Sequence, residues 1–300
     1  MSKVGLVTVL FNSDNVLEDF FKSISLQTLK DYHLYLIDNT PNAKTDALIK
    51  QLALRFPITG YSHISNSQNL GVAKGNNQGI EQSIARGCTH TLLLNNDIEF
   101  EQKFLFEEMY KYATDQQEAI IVPKIYFYDT RKIWMAGGRF NKNRGVVYHV
   151  GLGDNDGPSY NKAKHFDYSP TCFMLIDNDV FKKVGIMDER YFVYYDDTDF
   201  IYRAVQKGFM VFYMPSLEVL HKVSSSTGGK ESLFSIYYTT RNRIYFLRKN
   251  FKGLQKIIAM SFTLATRAIR YLAYEKKQRS EMIRALKDGF GMELFTSKEV

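Results

Sequence analysis

Two carboxylates stand side by side among aromatic residues in Tyr194-Tyr195-Asp196-Asp197-Thr198-Asp199-Phe200. Adjacent acids repel each other, and an aromatic setting strips water from them, so at least one should hold its proton to unusually high pH. A carboxyl of that kind is suited to act as a general base toward a hydroxyl. The same residues also fit a helix start, where Asp196, Asp197 and Asp199 would cap and complement the dipole. Both readings can hold at once.

A second constellation is Asn95-Asn96-Asp97, which follows the apolar run Thr91 to Leu94. A strand that stops in polar residues presents Asp97 at its tip, where a hard divalent cation can bridge it to phosphate oxygens. A plain turn would use the same residue types. His221, in Val219-Leu220-His221-Lys222, is a metal ligand if a carboxylate meets it, and Asp97 is the candidate; otherwise it packs.

Asn66, Asn69, Gly71, Gly75, Asn76, Asn77 and Gly79 form the densest segment of special backbone conformers, with Lys74 among them. Glycines there permit close backbone approach, and the helix start that follows favours an anion. Neither GxxxxGK[ST] nor GxGxxG is present, which excludes the two commonest nucleotide loops by motif. Arg241 and Arg243, in Tyr237-Tyr238-Thr239-Thr240-Arg241-Asn242-Arg243-Ile244, either contact phosphates or lie on a solvated helix face.

The elements that must carry these residues alternate between strand and helix patterns over the first half of the chain. Val4 to Leu10 is a continuous apolar run suited to a strand buried on both faces, and Val16, Leu17, Phe20, Phe21 and Ile24 follow at helical spacing. His33 to Ile37 and Tyr61 to Ile64 are further strands, and Thr45 to Phe56 and Asn76 to Arg86 are helices. Ligands of open α/β sheets bind at the carboxyl ends of the strands, so Asp38 and Asp97 are predicted to face one crevice. Later strands are expected at Ala119 to Tyr126, Cys172 to Ile176 and Met210 to Met214, with helices at Asn178 to Val184 and Phe200 to Lys207. The Gly151 to Pro158 loop is expected to be mobile. The expected organisation is a domain over 1–229, with halves of about 1–100 and 101–229, and a basic, mainly helical extension over 230–300, divided at the Gly228-Gly229 turn.

With 45% hydrophobic and 14% aromatic residues the 300-residue chain can bury a large core, which excludes disorder. Thirty-nine basic against 32 acidic residues give +7, a balance suited to nucleotide phosphates or an anionic membrane surface rather than to sequence-specific nucleic-acid reading. Cys88 and Cys172 lack paired spacing, so a disulfide scaffold or structural zinc is not expected and a reducing compartment is. The chain enters its first strand without a signal-peptide pattern, and its start is expected to belong to the fold. Leu254 to Tyr274 is apolar but broken by Lys256, Arg267 and Arg270, a pattern for an amphipathic rather than a spanning helix.

The ordered set Val7-Thr8-Val9-Leu10-Phe11-Asn12, Ile37-Asp38-Asn39, Asn69 to Gly79, Leu94-Asn95-Asn96-Asp97, Val184 to Phe192, Asp196-Asp197-Thr198-Asp199 and His221 resembles the family 2 inverting glycosyltransferases. The likeness spans roughly residues 4–250 and is strongest to bacterial rhamnosyltransferase-like and galactofuranosyltransferase-like members. It implies a GT-A α/β fold with a mostly parallel, Rossmann-like central sheet, and a nucleotide diphosphate sugar donor of dTDP-rhamnose or UDP-hexose type. It implies that Thr8, Asn12, Asp38, Asn69, Gly71, Asn76, Asn95, Asn96 and Asp97 line the donor site, with Asp38 at the nucleobase. Asp97 and His221 would hold Mn or Mg, Asp197 would be the base with Asp196 as its alternate, and Lys74, Arg241 and Arg243 would meet donor or acceptor phosphates. Two departures are visible: the family's DXD-type motif is reduced here to one carboxylate, and its Glu-Asp pair is Asp196-Asp197.

The implied acceptor is a saccharide or lipid-linked saccharide of bacterial polysaccharide synthesis. A nucleotidyltransferase or a non-catalytic nucleotide-sugar-binding protein is the alternative; the former lacks its Gly- and basic-rich stretch in Phe11-Asn12-Ser13-Asp14. Phe251 to Lys277 combines apolar residues at helical spacing with Lys252, Lys256, Arg267, Arg270, Lys276 and Lys277. Such a helix either lies in a membrane interface or packs on the domain or a second subunit. The expected location is cytoplasmic, at the inner face of the membrane.

Overall fold

The computed structural model describes residues 3–40, 42–223 and 231–295, so the Gly228-Gly229 boundary lies outside the described residues. The first half runs β1 (Val4–Leu10), α1 (Leu17–Ser25), β2 (Tyr32–Asp38), α2 (Ala43–Arg55), β3 (Tyr61–Ser65), α3 (Val72–Ala85), β4 (His90–Leu94), β5 (Ile98–Glu99) and α4 (Leu105–Gln116). It continues with β6 (Ile120–Phe127), β7 (Ile133–Met135), β8 (Gly138–Asn141), β9 (Val146–His149), β10 (Lys164–Phe166), β11 (Phe173–Asp177), α5 (Asn178–Val184), α6 (Asp196–Gln206) and β12 (Val211–His221). The described residues that follow form α7 (Leu233–Asn250), α8 (Gly253–Ala273) and α9 (Lys276–Gly291).

The sheet order is β10-β12-β6-β11-β4-β1-β2-β3, with β5 added beside β12 and β7 beside β6. β3, β2, β1 and β4 are mutually parallel, and β6 and β12 point the same way, while β11 and β10 run against them. The mostly parallel sheet expected from the apolar runs is therefore present. The antiparallel β11 wedged between β4 and β6 explains why the regular alternation fades after Phe100. β8 and β9 form a separate ribbon.

Local chemistry sets several boundaries that differ from the sequence pattern. α3 begins at Val72 rather than Asn76 because Gly71, at φ 83°, turns the chain into the helix. A Cβ at Gly71 would stand 2.4 Å from the Phe192 carbonyl oxygen. Gly75 and Gly79 let α3 sit directly on Val9 and Val7 of β1. β12 continues past Met214 to His221, with an irregularity between Met214 and Glu218 around Pro215. The Gly151 to Pro158 loop is tied to the sheet: buried Lys124 meets Asp156 at 2.9 Å, and the Tyr126 hydroxyl donates to the same carboxylate at 2.7 Å.

α7 is stitched into the domain. Tyr245 and Phe246 pack with Tyr191 and Tyr202. Lys249 bridges Asp188 at 2.8 Å and Asp199 at 2.9 Å, and the Tyr245 hydroxyl donates to Asp188 at 2.7 Å. Buried charges of this kind need such complete pairing to be tolerated.

α8 inverts the usual pattern. The face it buries carries Ala259, Thr263 and Arg267, whereas Leu254, Ile257, Ile258, Leu264, Ile269 and Leu272 are exposed. Among the described residues no helix is long and apolar enough to cross a membrane.

Candidate active site

The end of β4 and the end of β12 bring Asp97 and His221 together. β5 follows Asp97 directly and pairs with β12, Ile98 opposite His221, and the Lys222 amide donates to the Asp97 carbonyl at 2.9 Å. His221 Nε2 then lies 3.4 Å from Asp97 Oδ1, with both residues buried. His221 Nδ1 makes no hydrogen bond, and the ring stands edge-on to Trp134 with centroids 4.5 Å apart.

Asn96 ties the strand tips to one another, its Nδ2 donating to the Val9 carbonyl at 2.9 Å and to Ser13 Oγ at 3.1 Å. Asn12, exposed at φ 50°, donates its amide to Thr40 Oγ1 at 2.7 Å. Asn95 is exposed and donates its amide to the Cys172 carbonyl at 2.8 Å. These three asparagines line the carboxyl ends of β1 and β4, where the open-sheet rule places a ligand.

The structure corrects the expected crevice at Asp38. The residue does stand at the tip of β2, but it is fully buried, with Oδ1 accepting from the Thr40 amide at 2.7 Å and Oδ2 facing His63 Nε2 at 3.3 Å. His63 in turn faces Asp46 at 3.2 Å. Asp38 thus organises the β2 tip in this state. Thr8 is likewise enclosed, opposite Leu36 inside β1, and its hydroxyl makes no hydrogen bond.

The glycine-rich segment packs closely on its neighbours. Asn69 Oδ1 accepts from the Gly71 amide at 2.9 Å, and the Val72 amide donates to the Phe192 carbonyl at 2.7 Å. Asn76 is buried against Met187, and Asn77 donates to the Met187 carbonyl at 2.9 Å. Lys74 is exposed beside Glu189 at 3.7 Å. The segment therefore docks the Val184 to Phe192 stretch that leads into the acidic pair.

Asp196 and Asp197 occupy the first turn of α6, so helix capping and acid chemistry coincide. They are preceded by Tyr194 at φ 61° and Tyr195 at φ 68°, backbone conformations that bulky residues adopt only under constraint. Asn242 of α7 supplies that constraint, donating to the Val193 and Tyr194 carbonyls at 2.8 Å each. Burial, then the charge of Asp197, pushes the Asp196 carboxyl up to about 8. Burial raises Asp197 as well, but the Tyr168 hydroxyl donates to its Oδ2 at 3.0 Å and the Thr198 hydroxyl to its Oδ1 at 3.0 Å, both favouring the charged form. The shared negative charge consequently settles on Asp197, while Asp196 keeps its proton near neutrality.

Asp199 behaves differently. Burial works against its carboxylate, but Arg203 Nε at 2.8 Å and Lys249 Nζ at 2.9 Å outweigh it and hold its pKa below the usual range. It is the anchor of α6, not part of the acid pair's chemistry.

An aromatic wall joins the two centres. Tyr168 lies 6.2 Å from His149, His149 4.4 Å from Trp134, and Trp134 4.5 Å from His221, centroid to centroid. Burial pushes His149 down to about 4, so it is neutral at physiological pH. Cys172 is buried between the centres: burial raises its thiol, and the charges of Asp97 and Asp197 raise it further. Tyr168, His149, Trp134 and His63 carried no signal at their own positions.

Arg241 and Arg243 sit in α7. Arg241 donates to the Arg190 carbonyl at 2.8 Å, and Arg243 is buried and donates to the Arg144 carbonyl at 2.6 Å. Neither is on a solvated face in the simple sense expected.

The glycosyl transferase family 2 model matches residues 6–185, more than half of the chain. The low-salt glycan biosynthesis hexosyltransferase Agl10 of Haloferax volcanii is 24% identical over 223 residues, which are 72% of this chain and 70% of that protein. The dTDP-rhamnosyl transferase RfbF of Shigella flexneri is 25% identical over 198 residues, 61% of this chain and 62% of that one. Among solved structures, the mannosyltransferase PcManGT from Pyrobaculum calidifontis in complex with GDP-Man and Mn2+ has a TM-score of 0.59 at 11% identity, covering 96% of this chain and 86% of that chain. GalNAc-T7 with UDP, GalNAc and Mn2+ has a TM-score of 0.63 at 15% identity, covering 83% of this chain and 48% of that chain.

The chain belongs to glycosyl transferase family 2. It is a glycosyltransferase with the GT-A fold, and the nucleotidyltransferase and non-catalytic alternatives are not favoured. A metal is in keeping with the family. Among the described residues no three His, Cys, Asp or Glu side chains converge into a closed cage. The Asp97 and His221 pair instead suits a hard cation held largely by substrate phosphates and water, and the hydrogen-bond-free Nδ1 leaves the His221 ring uncommitted to a second partner.

Proposed function

We propose that the protein transfers a hexosyl group, of rhamnosyl or related type, from a dTDP-rhamnose or UDP-hexose type donor to an acceptor hydroxyl in bacterial cell-surface polysaccharide synthesis. The acceptor is a saccharide or a lipid-linked saccharide. The observation that carries the reading is the half-buried Asp197 carboxylate, which accepts from the Tyr168 hydroxyl at 3.0 Å on the same aromatic wall as the Asp97 and His221 pair. The names of the hexosyl- and rhamnosyltransferase relatives support the sugar class.

In this reading Asp197 takes the proton of the acceptor hydroxyl while that oxygen attacks the anomeric carbon. The carbon–oxygen bond to the diphosphate breaks on the opposite side, which inverts the centre in one step. Asp196, already protonated, does not compete for the proton. Mn or Mg, when bound at Asp97 and His221, supplies positive charge against the departing diphosphate. Asn12, Asn95 and Asn96 hold the strand tips that frame the donor. Asn69, Gly71 and Asn76, which dock the Val184 to Phe192 stretch, shape the donor pocket from behind. The exposed apolar stripe of α8 supports attachment to the cytoplasmic face of the membrane.

A panel of nucleotide sugars, screened by thermal shift with Mn and then for turnover, tests the proposal. One donor should stabilise wild type and Asp197→Asn alike while only wild type transfers it. Full turnover by Asp197→Asn, or the absence of any stabilising donor, would refute it.

A further inference from the structure

α8 and α9 both pack on α7, and between them they leave a groove. Gly289 lets α9 lie directly on α7: a Cβ there would stand 2.7 Å from the Arg241 carbonyl oxygen and 3.0 Å from Ile244 Cβ. α8 settles on the same helix through Ala259, which is buried with Phe246 and Leu247. What remains is a cavity of about 450 Å³. Arg248 of α7 lines it, with Lys256, Ile257, Met260 and Leu264 of α8 and Phe290 of α9. Its volume falls within the range of small-molecule sites, about 300–1,000 Å³.

The groove is cationic at one end and apolar along its length. Lys256 Nζ donates to the Arg248 carbonyl at 3.2 Å, which makes the two basic residues neighbours. Arg248 Nη1 donates to the Gly289 and Met292 carbonyls at 2.9 and 2.8 Å. These bonds satisfy carbonyls at the carboxyl ends of α7 and α9. All three acceptors are neutral, however, so neither charge is matched by a carboxylate among the described residues. α8 itself contains no Asp or Glu. From Lys256 the apolar track runs along one side of the helix through Met260 to Leu264, a rise of about 12 Å. It opens to solvent where Ile257 is 63% and Phe290 45% exposed, and Ile257 belongs to the exposed stripe of α8 as well.

We propose that the groove between α8 and α9 binds an anionic phospholipid, with the phosphate on Arg248 and Lys256 and one acyl chain laid along Ile257, Met260 and Leu264 against Phe290. The inference rests on the membrane attachment proposed above and deepens it, replacing a general apolar contact by one bound lipid molecule. Charge selects this occupant. The forked donors of Arg248 suit phosphate oxygens, and the methylene stem of Lys256 can follow the apolar wall while its ammonium stays at the end. A second copy of the chain, docked groove to groove about a two-fold axis, would set one acid-free α8 against another and leave like charges facing each other. A neutral chain would leave both cations without an anion.

The test titrates the full chain with lysophosphatidylglycerol below its micelle concentration, followed by calorimetry and Tm. One saturable site per chain that raises Tm is expected. Glycerol phosphate alone should not bind measurably, and zwitterionic lysophosphatidylcholine should bind about tenfold more weakly. Arg248 also holds α9, so the charge is removed at Lys256 instead. Lys256→Gln should melt close to wild type and lose about tenfold in affinity for lysophosphatidylglycerol. Ser261 lines the same cavity from an exposed position, and Ser261→Trp should fill it and abolish the site without lowering Tm. The absence of a saturable site in wild type, or wild-type affinity in either variant, would overturn the inference. So would a dimer, seen by light scattering, that Ser261→Trp dissociates and lysolipid does not. Sedimentation on phosphatidylglycerol vesicles separates this inference from the attachment it rests on. Wild type that sediments without showing a lysolipid site would keep the attachment and overturn the groove; a lysolipid site without sedimentation would count against the attachment alone.

Discussion

The Tyr168 hydroxyl donates to Asp197 Oδ2 at 3.0 Å across 29 residues of sequence. Its removal leaves the carboxylate desolvated with one fewer donor, so Tyr168→Phe should raise the Asp197 pKa further. The base works only when ionised, and activity is lost as pH falls through its pKa. The acidic limb of the kcat/KM profile should therefore move to higher pH by roughly one unit, the scale of one charge-assisted hydrogen bond. An unmoved limb would mean that this tyrosine does not tune the base.

Asp197→Asn should keep donor affinity and lose on the order of a hundredfold or more in kcat. Asp196 invites a different measurement. Its folded pKa of about 8 lies above the unfolded 3.8, so the folded state retains a proton that the unfolded state releases between them. Stability contributed by this group therefore falls as pH rises through that window. Asp196→Asn removes the dependence, and its gain in Tm over wild type should be larger near about pH 8 than near about pH 5. A constant difference at both pH values would contradict the assignment of the retained proton to Asp196.

Trp134 is the chain's single tryptophan and packs 4.5 Å from His221. Intrinsic fluorescence therefore reports on the Asp97 and His221 pair directly. Titration with Mn should quench it, EDTA should restore it, and Asp97→Ala should abolish both the quench and transfer while keeping the far-ultraviolet spectrum. Undiminished, EDTA-resistant turnover by Asp97→Ala would remove the metal from the reaction.

The parallel half of the sheet was legible because strands buried on both faces leave unbroken apolar runs, as in Val4 to Leu10. The acid pair and Asp97 were legible because their chemistry is local, in neighbouring residues or at a strand tip. Tyr168 and Trp134 were not, since Trp134 reaches the site in the short strand β7 beside β6 and Tyr168 in the stretch after β10 that bridges to Gly138, both by tertiary contacts that no spacing encodes. The enclosure of Asp38 depends on His63, supplied by the next strand. At the glycine loop the close approach was legible but its partners were not: Gly71, Gly75 and Gly79 approach Phe192, Val9 and Val7 of the protein itself. On α8 the apolar spacing was visible, but which face the fold covers was not.

That covered face makes the last prediction specific. α8 turns Ala259, Thr263 and Arg267 inward, so Leu254 at 71%, Ile257 at 63% and Leu272 at 77% exposure contribute little to the core of the monomer. Replacing the three with Ser should leave Tm nearly unchanged, since surface positions away from packing usually alter stability by less than about 0.5 kcal/mol. A membrane contact built on them would respond strongly, because each apolar side chain withdrawn from water is worth about 1.5–3 kcal/mol when fully buried. Exposed Lys252, Lys276 and Lys277 near the ends of the same helix add attraction to anionic lipid. Sedimentation with anionic and neutral liposomes should show wild type bound preferentially to the anionic ones and the triple Ser variant at least about tenfold weaker. Light scattering on the same samples separates the competing occupant: a wild-type dimer that the triple variant converts to monomer, with no liposome binding by either, would assign the stripe to a second copy of the chain instead of to lipid.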